Sequence, residues 1–143
     1  RRQRQMCIRD SIIYYGDELG MEGGDDPFCR FPMCWDAVEG NPTHAHYQKL
    51  ARIRRQTPAL RVGSFRTHAA MENGLYAYVR EADGQQVLCV VNTGLDPVKT
   101  HLALPTALSG LAAVHDLYAD RSLPVEDGVV CVRLDVGEGL ILA

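Results

Sequence analysis

No run of eighteen apolar residues occurs in this chain of 143 residues, and no leader with an apolar centre and a small-residue cleavage site opens it. The expectation is a protein with neither a spanning helix nor a secretory signal. Paired cysteines are missing too. The five thiols (Cys7, Cys29, Cys34, Cys89, Cys131) are odd in number and contain no C-x-x-C pair. Cys29 and Cys34 lack further ligands at zinc-finger spacing, so the expectation is reduced thiols in a cytoplasmic protein and no metal site. Cys89 and Cys131 lie in the apolar runs VLCVV and VVCVRL, where free cysteine acts as a small hydrophobe. Charge of one sign is scarce: 15 basic against 18 acidic residues give a net charge of −3, which builds no field for nucleic acid or an anionic membrane. Neither G-x-S-x-G nor G-x-x-x-x-G-K occurs, which argues against a serine hydrolase of the elbow type and against a phosphate-cradling loop. The triplet Asn41-Pro42-Thr43 is barred from glycosylation by its central proline.

What is present is concentrated early. Between Ile13 and Asp36, IYYGDELGMEGGDDPFCRFPMCWD holds six acids, two tyrosines, one arginine and the chain's one tryptophan, with neither helical nor alternating period. The stretch before it, RRQRQMCIRDS, carries four arginines without interleaved aromatics and reads as a non-native segment over residues 1–11. A helix follows from Thr43 to about Gln56: Tyr47, Leu50, Ala51 and Ile53 recur at three- and four-residue spacing. Thr43 is placed to cap it, arginines 52, 54 and 55 suit its last turn, and Thr57-Pro58 ends it.

From Gly63 the period changes to two. Leu75 to Arg80, the turn signal Asp83-Gly84, and Val87 to Val91 read as a hairpin. Further strands are expected over Ser64 to Ala70, Lys99 to Leu104, Ala113 to Leu117, Val129 to Leu134 and Leu140 to Ala143, with Asp127-Gly128 as a second turn. Seven or so short strands with turns between them make an antiparallel β-sandwich, and 46% apolar residues suffice for its core.

The motifs IYYGDELGM, GGDDPFCRFPMCWD, YQKLARIRRQTPAL and GSF together resemble the end of the catalytic (β/α)8 barrel, and the entry into the C-terminal sandwich, of the α-amylase family, glycoside hydrolase family thirteen. The D-P-x-C-R-x-P-M-x-W-D form is most similar to the neopullulanase, cyclomaltodextrinase and maltogenic amylase branch. The resemblance implies a mainly β chain in three parts: the foreign residues 1–11, a last barrel strand, loop and helix over 12–61, and a C-terminal antiparallel β-sandwich over 62–143. It also implies an α-glucan or maltooligosaccharide substrate and no cofactor. Carboxylates and arginine to bind hydroxyls, beside flat aromatic faces, are what a sugar site needs.

Retaining glycosidases need two carboxylates about 5 Å apart. Asp17-Glu18 and Asp25-Asp26 are adjacent pairs, and neighbours on an extended chain point to opposite faces. The family's nucleophile, acid/base and transition-state acids lie upstream of Ile12, so no catalytic residue is expected in this chain. Substrate contact carries over to two positions, Asp26 and Arg30, which in the branch hold the non-reducing end; a salt bridge that pins the loop is the alternative. Trp35 is expected to pack under the loop, Tyr14 and Tyr15 to split between packing and cleft edge, and Asp17 and Glu18 to fix the loop through hydrogen bonds to backbone and arginine. His44 and His46 face different ways, and His68, His101 and His115 fall in strands without ligand spacing. The remaining alternative is a non-catalytic carbohydrate-binding or interaction module. Few aromatics in the strands (Phe65, Tyr76, Tyr78, Tyr118) weigh against it.

Overall fold

A computed structural model describes residues 13–69 and 74–143. The non-native reading of residues 1–11, and Ile12 of the expected barrel strand, lie outside them. The described residues separate by their contacts into two compact units, divided between Lys49 and Leu50.

Among its described residues the second unit holds eight strands: β1 (Ser64–Ala69), β2 (Leu75–Ala82), β3 (Gln85–Asn92), β4 (Val98–Ala103), β5 (Ala113–Asp116), β6 (Arg121–Pro124), β7 (Val129–Leu134) and β8 (Gly139–Leu142). Six form one antiparallel sheet in the order β1-β2-β3-β8-β5-β6, and β4 pairs with β7 in a second. The expected hairpin is there, with Tyr78 opposite Cys89 and both Asp83 and Gly84 in the left-handed region that its tight turn requires. Asp127 and Gly128 do the same in the second turn.

Alternation explains which side chains meet. Leu75, Ala77 and Val79 of β2, Leu88 and Val90 of β3, Val114 of β5, and Leu140 and Leu142 of β8 point inward from the large sheet. They meet Leu102 of β4 and Val130, Val132 and Leu134 of β7, so the two sheets enclose one core. β3 is apolar on both faces because its outer side is covered as well. There Val87 and Cys89 pack with Ile53, Ala59 and Leu60 of two helices, α1 (Pro42–Gln56) and α2 (Pro58–Val62). A strand buried on both sides reads as a continuous run rather than an alternating one.

Several expectations are corrected. Thr57-Pro58 ends α1 as expected, but Pro58 then starts α2, since a proline at the first helical position loses no hydrogen bond. α1 is capped by Asn41, whose Oδ1 accepts the His44 N–H at 3.0 Å, and not by Thr43. β6 and the one-turn helix α3 (Thr106–Ser109) were not expected. Cys131 is exposed, because it falls on the outer phase of β7, while Cys89 is buried. Burial pushes the Cys89 thiol above its ordinary pKa, against a lowering contribution from its hydrogen bond with Tyr78. Less thiolate and no access give an expected result: iodoacetamide at pH 8 labels Cys29, Cys34 and Cys131 in the native chain, and Cys89 only after denaturation. Peptide mapping by mass spectrometry reads this directly, and native labelling of Cys89 would contradict the packing described.

Candidate functional site

The first unit is built around the acidic and aromatic loop. Residues 13–15 form no strand. A barrel strand takes its hydrogen bonds from flanking strands, and the described residues of this unit contain none. The chain instead turns at Gly16, whose φ of 92° suits glycine, into a 3-10 turn over Asp17–Leu19. Asp17 Oδ2 accepts the Tyr14 N–H at 3.3 Å and Glu18 Oε2 accepts the Gly16 N–H at 2.9 Å. Both carboxylates thus bond to the backbone of the loop, which is the backbone half of what was expected of them.

Tyr15 reaches across the loop. Its hydroxyl lies 3.0 Å from the Phe31 carbonyl oxygen and 3.3 Å from that of Cys29, so one O–H ties the start of the loop to its far limb. Desolvation, then the neighbouring Tyr14 and Cys29, raise its pKa. This clamp was not anticipated: Tyr14 and Tyr15 were expected to split between two faces, whereas both are partly exposed with ring centroids 4.8 Å apart. A tyrosine beside a turn carries no sequence signal of which carbonyl it will meet.

Asp26 and Arg30 come together. The Phe28 N–H donates to the Asp25 carbonyl and the Arg30 N–H to the Pro27 carbonyl at 3.0 Å, which coils the segment so that positions four apart share a side. Arg30 Nε then donates to Asp26 Oδ1 at 2.8 Å, with side chains 71% and 63% exposed. An ion pair this exposed contributes about 0–1 kcal/mol, too little to be the loop's main fastening. It uses one carboxylate oxygen and one of the five guanidinium N–H groups, and the remaining capacity suits a ligand rich in hydroxyls.

The aromatic residues of the loop face outward. Phe28 and Phe31 are 61% and 54% exposed, with ring centroids 6.5 Å apart. Trp35 is 74% exposed and does not pack under the loop; it opens a 3-10 turn over Trp35–Ala37 that presents the indole to solvent. A shallow cavity of about 330 Å³ lies among Met21, Glu22, Phe31, Pro32 and Cys34.

His44 and His46 are on α1, and His68, His101 and His115 belong to the second unit. His44 Nε2 is 2.9 Å from Gln48 Nε2, His68 Nε2 donates to the Ala103 carbonyl at 2.6 Å, and His115 Nε2 is 3.1 Å from Asp120. Among the described residues no three His, Cys, Asp or Glu side chains converge as metal ligands. Nor is any helix among them long and apolar enough to cross a membrane.

Comparison with known proteins adds the context of this loop. Residues 65–136 match the family model described as "Maltogenic Amylase, C-terminal domain". The chain is 35% identical over 133 residues to Neopullulanase 2 of Thermoactinomyces vulgaris, covering 92% of this chain and 22% of that protein. It is 44% identical over 82 residues to a cyclomaltodextrinase of a Bacillus species, covering 56% of this chain and 15% of that one. The crystal structure of a maltogenic amylase from S. marinus superposes with a TM-score of 0.68 and 28% identity, over 91% of this chain and 16% of that one. The chain therefore spans about a fifth or less of the length of these relatives.

Proposed function

Because the chain belongs to the maltogenic amylase C-terminal domain family, among the α-amylase-type glycosidases, we propose that it is the C-terminal part of an α-glucan-acting glycoside hydrolase, cleaving α-1,4 or α-1,6 glucosidic bonds with retention in the intact parent. The sequence resemblance to the neopullulanase, cyclomaltodextrinase and maltogenic amylase branch is borne out by the relatives it matches. The observation that carries the reading is the continuity of the match: an alignment over 92% of the chain takes in the acidic loop and α1 as well as the sandwich. In this reading residues 12–61 belong to the end of the catalytic barrel, residues 62–143 are its β-rich appendage, and the parent works in the cytoplasm on maltooligosaccharides.

The hydrogen bonds support a division of labour within the chain. Asp17 and Glu18 each accept a backbone N–H and hold the loop. Asp26 and Arg30 supply an acceptor and paired donors at one exposed point, suited to adjacent hydroxyls on the terminal glucosyl unit. Bond cleavage needs two carboxylates bracketing one glycosidic oxygen, which this reading assigns to other strands of the parent. Hence the 143-residue chain alone is expected to release no reducing sugar from maltotriose, pullulan or cyclodextrin. Measurable turnover would place the catalytic acids inside this chain and overturn the division.

The alternative, a sugar-binding sandwich, has less support. Phe65 and Tyr78 stack on each other at 5.1 Å, which takes up one face of each ring, and Tyr78 and Tyr118 pack against the cluster beneath α1 and α2.

A further inference from the structure

We propose that Phe31 is the stacking residue of the loop: its ring covers the apolar face of the glucosyl unit whose hydroxyls Asp26 and Arg30 hold, and Tyr15 positions it there. The inference rests on the glucan-binding reading of Asp26 and Arg30 and adds the residue that fixes the ring plane. Three observations meet at Phe31. It follows Arg30 directly, and its ring is 54% exposed, with the Phe28 ring tilted by 34° at 6.5 Å. It is also the residue through which this turn joins the cavity of about 330 Å³, whose other walls are Met21, Glu22, Pro32 and Cys34. Finally, its backbone does not float: the Tyr15 hydroxyl lies 3.0 Å from its carbonyl oxygen, a contact made from sixteen residues away along the chain.

The chemistry selects a sugar over other occupants. A pyranose presents hydroxyls around its rim and C–H groups on its faces. An exposed ring one residue along the chain from a guanidinium and its carboxylate partner offers a surface for the faces beside groups for the rim. A purely apolar peptide would desolvate the charged pair and leave its remaining donors and acceptors without partners, which is costly. The neighbouring Trp35 is on the same limb but lines no part of the cavity.

Calorimetric titration of the 143-residue chain with maltotriose tests the assignment with four proteins. The wild-type chain is expected to bind, Phe31→Ala to bind about tenfold more weakly, and Phe31→Trp to bind within about threefold of wild type, since it keeps a stacking face. Tyr15→Phe, which removes only the hydroxyl of the clamp, is expected to weaken binding severalfold while circular dichroism stays unchanged. If the wild-type chain binds no maltotriose, the glucan reading of the loop falls and the stacking role with it. If it binds and Phe31→Ala binds equally well, the glucan reading survives and the stacking role is overturned. Equal loss in Phe31→Ala and Phe31→Trp would also overturn it, because the site would then need phenylalanine's shape and not an aromatic face.

Discussion

Asn92→Ala is expected to lower the melting temperature of the chain by about 10 °C, from a loss of about 3 kcal/mol. Asn92 is fully buried at the end of β3. Its Nδ2 lies 2.9 Å from the Asp96 carbonyl oxygen, 3.3 Å from that of Leu134 and 3.2 Å from that of Asp135, while Oδ1 accepts the Gly94 N–H at 2.9 Å. The backbone of the same residue bonds Glu138 and Gly137. One amide therefore ties the loop after β3 to the loop between β7 and β8. Truncation strands the buried Leu134 carbonyl, weakens the part-buried contacts to Asp96, Asp135 and Gly94, and leaves a void, and each unsatisfied buried group costs about 1–3 kcal/mol before relaxation. Asn92→Asp is expected to be no better at pH 7, because an ionised carboxylate would face carbonyl oxygens with no proton to offer. Thermal unfolding followed by circular dichroism checks both variants. An unchanged melting temperature for Asn92→Ala would mean that the loops hold without this hub.

Gly63→Ala is expected to cost about 3 kcal/mol for a different reason. Gly63 sits between α2 and β1 at φ −67° and ψ 159°, angles any residue can adopt, so backbone freedom is not at issue. Space is. A Cβ there would overlap the Ala59 carbonyl oxygen and lie 2.7 Å from the Glu81 carbonyl oxygen, both backbone atoms that cannot swing aside. The Gly63 N–H also donates to the Ala59 carbonyl at 3.1 Å, and the Gly63 carbonyl accepts from Arg80 at 2.9 Å. Relief requires pulling α2 off the outer face of β3, which uncovers Leu60 and Val87. Gly110, with φ −89° and open space within 4 Å of where a methyl group would stand, is the matched control, and Gly110→Ala is expected to change stability by less than about 0.5 kcal/mol. Urea unfolding of the two variants separates them; similar midpoints would contradict the close packing at the sandwich entry.

The strands legible in the sequence are those whose alternation is complete. β2 (LYAYVREA) starts where expected and β7 (VVCVRL) matches its expected span, because every second residue enters the core. β6 (RSLP) escaped because it is an edge strand with Leu123 alone facing in and a proline at its end, a pattern shared with ordinary loops. Helix α2 was hidden by Pro58, which stops one helix and starts the next with the same ring. The buried Asp116 shows the same limit for polar groups. Its Oδ1 accepts the Tyr118 N–H at 3.1 Å and the Ile141 N–H at 3.4 Å, and Oδ2 lies 3.4 Å from Arg121 Nε. That last contact is an ion pair by distance without hydrogen-bond geometry, so the carboxylate is held mainly through Oδ1. Nothing in AVHDLY separates such an aspartate from an exposed one.

In the loop, the family resemblance singled out Asp26 and Arg30 as expected substrate contacts, and what the structure shows of them is that the two side chains pair with each other. The backbone roles of Asp17 and Glu18 were also visible, since short acidic side chains beside glycine turns bond nearby N–H groups. Trp35 went the other way. Its size favoured burial, but burial needs a surface to pack on, and the local chain offers none to it. The Tyr15 clamp joins limbs of the loop that only the folded chain brings together.

Calorimetry of the 143-residue chain carrying both Asp26→Ala and Arg30→Ala, titrated with maltotriose beside the wild type, tests the central claim that glucan contact resides in the loop and not in the sandwich. The account predicts saturable heat for the wild type and none for the double variant, with the same melting temperature for both, since an exposed pair contributes little to stability. Undiminished binding by the double variant would contradict it, and would move the sugar site to the β-sheets.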